Sequence, residues 1–319
     1  MVFQHLVRLR RAVVAQTAFL GDAVLGLSVV QALQKAFPDA DIRYLVRKGN
    51  ESIVPGPVFV WDKRRRKYEH FFQTLVQIRR FRPELFVVVQ RYFSSGLMAM
   101  LSGAQTIVGF DKNPFSCAFT FRVAHRLDGR HELERNAELL KPLGIVGWER
   151  PKIRVEDSNV PAEPYVVLAP ATVWATKAWA YWPELARALA QKKRVYVVGA
   201  PGEREICARV AGDWAVNLAG ELTLPQLAGL MRGALRVFCN DSAPLHIAGA
   251  VNAPVTVFFC STVPAFGFGP ISDDAVVLEA RELQCRPCGL HGRKRCPKGH
   301  FRCAKEIGVA AAVRTLGLE

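Results

Sequence analysis

Residues 240–270 read NDSAPLHIAGAVNAPVTVFFCSTVPAFGFGP, and this stretch decides the fold. It joins the mostly apolar run Leu235–Phe238 to a helical pattern, and a second apolar run, Val255–Phe259, follows. The order strand, polar turn, helix, strand is typical of an open α/β sheet. In such sheets ligands bind outside the carboxyl ends of the strands, where the positive end of a helix attracts anions. The turn therefore predicts an anion site, although Asp241 or Ser242 would also serve as an ordinary helix N-cap.

A similar pattern occurs near the amino terminus. The short apolar strand Ala12–Ala15 leads through a turn containing Asp22 to a helical pattern over Ala23–Ala36, and Ile42–Val46 returns as a strand. One such unit in each half predicts an α/β protein of two doubly wound, Rossmann-like domains that face each other across a cleft.

The length and periodicity of the chain suit this arrangement. With 319 residues it is long for one domain and sufficient for two. The continuous apolar run Leu85–Val89 predicts a strand buried on both faces. We expect domains over 1–155 and 156–319, with a proline-rich linker at 151–164. Further strands are expected near 58–60, 106–108, 165–168, 194–198 and 215–218, and further helices near 68–80, 95–102, 132–141, 183–191, 203–211 and 224–231.

The chain is strongly basic. It has 43 Lys and Arg against 28 Asp and Glu, a net charge of +15, and residues 1–150 alone carry +10. The run Lys63–Lys67 lies in this half. The bias indicates an anionic partner, and no nucleic-acid-binding motif accompanies it. Because no run of about 18 apolar residues is present, we expect a cytoplasmic protein whose basic half meets a phosphorylated acceptor or the acidic inner surface of the membrane.

Half of the eight cysteines cluster near the carboxyl terminus, at Cys285, Cys288, Cys296 and Cys303. Their spacing, C-x2-C-x7-C-x6-C, in a segment rich in Gly and Pro suits a tetrahedral, structural zinc site. Structural disulfides are disfavoured in a cytosolic chain. The alternative is a reduced loop without metal, and the sequence leaves both open. The remaining cysteines are predicted as small core residues: Cys117, Cys207, Cys239 and Cys260.

Three segments together resemble the heptosyltransferase family, glycosyltransferase family 9. They are Gly21-Asp22 before the first helix, Thr176-Lys177-Ala178-Trp179, and Asn240-Asp241-Ser242-Ala243-Pro244-Leu245-His246. The resemblance covers nearly the whole chain. It implies a GT-B fold and an inverting glycosyltransferase that moves a heptose from an ADP-sugar to a lipid-linked lipopolysaccharide inner-core acceptor. It also implies that the first domain binds the acceptor and the second the nucleotide sugar.

The resemblance further implies the roles of individual residues. Asp22 is the expected general base, because a carboxylate beside an apolar strand end can have its pKa raised by desolvation. Donor binding falls to Thr176, Lys177, Asp241, Ser242, Ala243 and His246. A lysine and a helix amino end can stabilise a leaving diphosphate, so we expect no catalytic metal. Asp39-Ala40-Asp41 matches a metal-binding D-x-D pair only formally, because it lies in the turn that enters a strand.

Two departures from the family pattern leave the substrates open. Ala243 stands where the family usually has glycine, and Cys260-Ser261-Thr262 stands where it often has Gly-Pro-Thr. One alternative is therefore a GT-B enzyme that uses another nucleotide sugar for a different surface glycan. Another is an inactive nucleotide-binding relative, which the presence of both Asp22 and Lys177 disfavours.

Overall fold

In the computed structural model, which describes residues 9–158 and 160–317, the chain forms two units, Met1–Ile153 and Arg154–Glu319. Each unit contains one parallel sheet of six strands. The predicted α/β class with two doubly wound units is confirmed. Residues 1–8 and 318–319, which the predicted domains included, lie outside the described residues.

Strands and helices are interspersed along the first unit, and its sheet has the order β3-β2-β1-β4-β5-β6. The direction of strand addition reverses between β1 and β4, which pair directly. The strands are β1 (Arg11–Gln16), β2 (Asp41–Arg47), β3 (Val58–Trp61), β4 (Leu85–Val88), β5 (Thr106–Phe110) and β6 (Phe121–Val123). The helices are α1 (Leu20–Ala36), α2 (Lys67–Phe81), α3 (Phe93–Leu101) and α4 (Glu132–Glu138).

The second unit repeats this topology with the order β12-β11-β10-β7-β8-β9, and its reversal lies between β10 and β7. The strands are β7 (Tyr165–Ala169), β8 (Arg194–Val197), β9 (Val216–Asn217), β10 (Arg236–Asn240), β11 (Val255–Phe259) and β12 (Ala275–Glu279). The helices are α5 (Trp182–Ala190), α6 (Arg204–Ala211), α7 (Leu224–Arg232), α8 (Ala243–Ala250), α9 (Arg302–Lys305) and α10 (Val309–Arg314).

The central strands are buried on both faces, as their continuous apolar sequences require. All residues of β4, β7, β10 and β11 are buried. In the second unit the indole of Trp179 stacks on the ring of Phe258 in β11, with 4.0 Å between the ring centroids. Helix α10 packs on α5 and completes this side of the core. Within residues 9–158 and 160–317, no helix is long and apolar enough to cross a bilayer.

Sequence periodicity missed the outermost strand β6 of the first sheet and β12 of the second. Their residues are only partly buried or exposed, and β6 has just three residues with an arginine at the centre. The sequence of β12 does contain an apolar run, Ala275–Leu278, which the prediction overlooked. The prediction that Cys117 is a core residue was wrong, because its side chain is exposed in a short helical turn. The three other isolated cysteines are buried as expected.

Candidate active site

A buried ion pair lies where the strand order of the second sheet reverses. Lys177 Nζ stands 2.6 Å from Asp241 Oδ2 and also donates to the carbonyl oxygen of Asp241 at 3.2 Å. The two side chains are 14% and 7% exposed. Thr262, just after β11, donates from Oγ1 to the same carboxylate oxygen at 2.6 Å. The pair therefore fixes a cation at the carboxyl edge of the sheet, and two of the three ammonium donors are used by Asp241.

Asn240 ties the neighbouring strands together beside this pair. It is fully buried at the end of β10, donates from Nδ2 to the carbonyl oxygen of Pro170 at 2.7 Å, and accepts from the backbone N–H of Trp179 at 3.0 Å. Both contacts satisfy buried backbone groups of the loop that carries Lys177. The sequence showed Asn240 within a motif but gave it no role.

The amino end of α8 adjoins the ion pair. Ser242 occupies the N-cap position, but its hydroxyl donates to a backbone carbonyl two residues earlier, and it caps no helix N–H within the part of the chain that the structure describes. Pro244, in the first turn, has no N–H to satisfy. Near Ala243 the positive end of the helix can therefore receive an anion. His246 is buried in the same helix, with its ring centroid 6.2 Å from that of Phe268.

The cysteine-rich loop packs against the segment that carries Lys177. Thr176 Oγ1 accepts from the backbone N–H of Arg293 at 2.7 Å and from the hydroxyl of Ser261 at 3.0 Å. Gly292 has a φ of +77°, and a Cβ there would come within 3.1 Å of Lys177 Cγ. A side chain at this position would press on the lysine, so glycine allows the close approach. Loop and ion pair therefore form one continuous part of the second unit.

Arg286 anchors the same loop to the edge of the sheet. Its buried guanidinium lies 2.6 Å from Glu279 at the end of β12. It also donates to the carbonyl oxygens of Cys260 and Thr262, at 2.6 Å in each case. These bonds use the planar fork of donors that only arginine offers. The loop is thus held by polar contacts rather than by an apolar core of its own.

The four clustered thiols do not form a ready metal site. Among the described residues, no group of three or more His, Cys, Asp or Glu side chains is arranged to hold a metal ion. The thiols nevertheless influence one another. Burial, followed by the charges of Cys288, Cys296 and Cys285, raises the pKa of Cys303 to about 11. Burial opposes ionisation of Cys296, but hydrogen bonds from the backbone of residues 298–301 lower its pKa overall.

Asp22 lies in the first unit, at the start of α1. The helix begins at Leu20, so Asp22 is in its first turn rather than in the preceding turn, where the sequence placed it. The positive helix end stabilises a carboxylate at this position. Burial, and then the charge of Asp22, raises the pKa of both Tyr44 and Tyr92. Asp22 is therefore close to both rings. Asp41, in contrast, starts β2 at the opposite edge and pairs with Arg43.

A buried amide network supports the turn that precedes Asp22. Gln90 donates from Nε2 to Gln16 Oε1 at 2.7 Å and accepts from the hydroxyl of Thr17 at 2.9 Å. Gln16 Oε1 also accepts from the backbone N–H of Ala18 at 3.2 Å. The network joins the carboxyl ends of β1 and β4, where the first sheet reverses its order. The network was not predictable from the sequence, because Gln90 is 74 residues from Gln16.

Cations gather at the same edge of the first sheet. Lys63 Nζ donates to the carbonyl oxygen of Thr17 at 2.9 Å. Burial, and then the charges of Arg47 and Lys67, lowers the pKa of Lys63 to about 8. Burial and the charge of Arg64 likewise lower the pKa of Arg47. None of these four cations pairs with a carboxylate among the described residues. We call Arg47, Lys63, Arg64 and Lys67 the cationic cluster.

The chain matches a known protein family over a segment that includes parts of both units. A sequence model of glycosyltransferase family 9 (heptosyltransferase) matches residues 74–298. Lipopolysaccharide heptosyltransferase 1 of Pseudomonas aeruginosa is 25% identical over 312 residues, which cover 87% of this chain and 86% of that protein.

Solved structures share the fold over nearly the whole chain. The structure of a glycosyl transferase family 9 protein from Veillonella parvula has a TM-score of 0.82 at 17% identity, covering 97% of this chain and 98% of the other. The E. coli heptosyltransferase WaaC with ADP-2-deoxy-2-fluoro heptose has a TM-score of 0.72 at 18% identity, covering 96% and 99%. These likenesses support the GT-B fold that the sequence predicts.

Replacing Asn240 should destabilise the second unit. Asn240→Ala removes the partners of two buried backbone groups, at Pro170 and Trp179, and each lost partner costs about 1–3 kcal/mol. We expect the free energy of unfolding, measured by denaturant titration, to fall by about 2–4 kcal/mol. Asn217→Ala is the control, because water can replace the contacts of this half-buried side chain. Equal stability of the two variants would contradict the assigned role of Asn240.

Proposed function

This chain belongs to glycosyltransferase family 9 (heptosyltransferase) and is a glycosyltransferase, and we propose that it transfers a heptose from ADP-heptose to the inner core of lipopolysaccharide with inversion at the anomeric carbon. The observation that carries the proposal is the Lys177–Asp241 pair beside the amino end of α8. This is the point in a doubly wound sheet where a diphosphate binds.

In this proposal the second unit binds the donor. Lys177 and the N–H groups near Ser242 and Ala243 hold the diphosphate and stabilise the charge that develops on it as ADP leaves. Asp241 and Thr262 keep the ammonium in position before the donor arrives. Thr176 supports the loop that carries Lys177 through its hydrogen bonds with Arg293 and Ser261. His246 takes part in donor binding from its position within α8. No metal ion is required in this scheme.

The first unit binds the acceptor and supplies the base. Asp22 removes the proton from the acceptor hydroxyl as its oxygen bonds to the anomeric carbon. The bond between that carbon and the β-phosphate oxygen of ADP breaks in the same displacement, so the configuration inverts. The buried network of Gln16 and Gln90 holds the backbone ahead of Asp22.

The cationic cluster suits the acidic groups of a lipopolysaccharide acceptor. Four cations without carboxylate partners repel one another, and this repulsion adds to the larger effect of burial in lowering the pKa of Lys63. An anionic acceptor would remove this repulsion, so binding is favoured by the charges already in place. An acceptor anchored in a bilayer also places the enzyme at the inner face of the cytoplasmic membrane.

A different nucleotide sugar, used for another surface glycan, is the competing function. Ala243, where the family usually has glycine, adds a methyl group at the proposed phosphate site. It is the one observation that favours a changed donor.

We further propose that Cys285, Cys288, Cys296 and Cys303 bind one structural zinc ion. The spacing of the four cysteines in a segment rich in Gly and Pro supports this proposal. Zinc binding requires the side chains to turn toward a common point, because the described arrangement holds no metal group. The ion would order a loop that has little apolar surface. The alternative is a reduced loop held by Arg286 and Arg293 alone.

Donor specificity tests the proposed function most directly. ADP-heptose should raise the midpoint of thermal unfolding more than UDP-, GDP- or other ADP-sugars at equal concentration. Lys177→Ala should weaken ADP binding about 10- to 100-fold in calorimetry, because a charge-assisted contact is lost. Lys193→Ala, at the opposite edge of the sheet, should bind ADP normally. Transfer should persist in excess EDTA. A larger shift with another nucleotide sugar would favour the competing function.

Removal of the basic group should stop chemistry without unfolding the protein. Asp22→Asn keeps the size of the side chain but cannot take the acceptor proton. We expect kcat to fall about 100-fold or more with both substrates saturating. Asp39→Asn, an exposed carboxylate at the other edge, is the matched control. Normal turnover of Asp22→Asn would show that the base lies elsewhere.

The charge of Lys63 should appear in the pH dependence of acceptor use. Its pKa of about 8 means that Lys63 loses its charge as the pH rises through that value. The kcat/KM for the acceptor should therefore decline above about pH 8. Lys63→Arg stays charged and should remove this decline while retaining activity. The same decline in Lys63→Arg would assign the titration to another group.

Elemental analysis decides between the zinc site and the reduced loop. Protein purified without a metal-binding tag should contain about one zinc ion per chain. Cys288→Ser should lower the zinc content and make residues 285–303 sensitive to proteolysis. Cys117→Ser, an isolated exposed cysteine, should change neither. Fully active protein with no zinc or iron and four titratable clustered thiols would establish the reduced loop.

A further inference from the structure

Helix α2 presents an apolar stripe to solvent. Tyr68, Phe72 and Val76 are 73%, 59% and 46% exposed, and they are spaced at i, i+4 and i+8. Residues with this spacing lie on one side of a helix. Packing does not require them, because another face of α2, with Phe71 and Leu75, already enters the core of the first unit. Large apolar side chains grouped on an exposed helix mark a surface that meets a partner.

The charges around the stripe specify the kind of partner. Glu69 is the single acidic residue between positions 63 and 82. It contacts Arg66 at 3.4 Å. The basic residues in the same interval precede and follow the stripe: Lys63, Arg64, Arg65, Arg66, Lys67, Arg79, Arg80 and Arg82. A second copy of this face would bring the same positive charges together, which disfavours a symmetric dimer.

We propose that the outer face of α2 docks onto the surface of an anionic phospholipid bilayer. Tyr68 and Phe72 would insert at the level of the headgroups, where aromatic side chains are favoured. The arginines would extend their stems along the apolar stripe and place their guanidinium groups among the lipid phosphates. A helix with an apolar stripe and flanking cations lies in the plane of such an interface.

The position of α2 links this surface to the acceptor edge. The helix begins at Lys67 and β3 ends at Trp61, so Lys63 lies in the short loop that joins them. Docking through α2 would therefore hold the cationic cluster close to the headgroups. The inference deepens the proposed contact with the membrane, yet it does not depend on which sugar is transferred.

Vesicle binding tests the proposal with the full chain. The protein should sediment with vesicles of phosphatidylcholine and phosphatidylglycerol but not with phosphatidylcholine alone, and binding should weaken in high salt. Phe72→Ser combined with Val76→Ser should reduce the partition coefficient about tenfold or more. Arg65→Gln combined with Arg80→Gln should reduce it about 30-fold. Trp214→Ser, which removes an exposed aromatic side chain in the second unit, should bind like the unaltered protein.

Separate readouts distinguish this inference from the proposed function. The helix variants should keep the circular dichroism of the unaltered protein, its affinity for ADP, and its turnover with a water-soluble acceptor. Failure of the unaltered protein to bind anionic vesicles, or unchanged binding by both double variants, would overturn the docking surface while leaving the donor site intact. A concentration-dependent dimer that is lost in Phe72→Ser/Val76→Ser would instead assign the face to a second copy of the chain.

Discussion

A parallel sheet must bury both of its faces, and the organisation of each unit depends on this constraint. Successive parallel strands have to be joined by a connection, in most cases a helix, that returns the chain to the other end of the sheet, so all carboxyl ends collect at one edge. Polar loops can extend only there or at the opposite edge. Where the strand order reverses, at β1 and β4 and again at β10 and β7, the flanking loops diverge and leave room for a ligand. The candidate groups of both units stand at these two points.

In the second unit, buried polar groups convert this opening into a defined site. Asn240 satisfies backbone groups of two neighbouring segments, and this fixes the loop of Lys177. Asp241 neutralises the lysine, since an isolated buried ammonium would be costly. The helix amino end beside them remains available to an anion. The cysteine-rich loop closes one side of this arrangement. Arg286 and Arg293 hold it by hydrogen bonds, and Cys285 and Cys303 at its two ends pack in the apolar core.

The first unit follows a different electrostatic rule. Its edge carries cations that repel one another, and this repulsion adds to the larger effect of burial in lowering the pKa of Lys63. Such a cluster opposes folding of the free protein, and a bound anion relieves the opposition. The exposed apolar stripe of α2 is comparable, because contact of the Phe72 side chain with water is unfavourable. Binding of a partner that the isolated chain lacks would reduce both the charge repulsion and the apolar exposure.

Much of the fold was predictable from local sequence. The apolar runs at Leu85–Val88 and Val255–Phe259 had the length and composition of buried strands, and the helices between such runs followed their periodicity. The strand β6 was not, because three partly exposed residues at the edge of a sheet have no distinctive pattern, whereas the apolar run Ala275–Leu278 of β12 was overlooked. The start of α1 was also misplaced, since Phe19 at the N-cap position gives no capping signal.

The sequence by itself determined the fold class, the doubly wound units and the motifs that contain Lys177, Asp241 and Asp22, because these depend on local periodicity and on short runs of residues. Tertiary structure alone decided that Lys177 pairs with Asp241 and that Gly292 of the cysteine-rich loop lies close to the side chain of the same lysine. It also decided that Gln16 and Gln90 meet beneath the turn before Asp22. These partners are 64 to 115 residues apart, and only the crossing of strands in a folded sheet brings them within hydrogen-bonding or van der Waals distance.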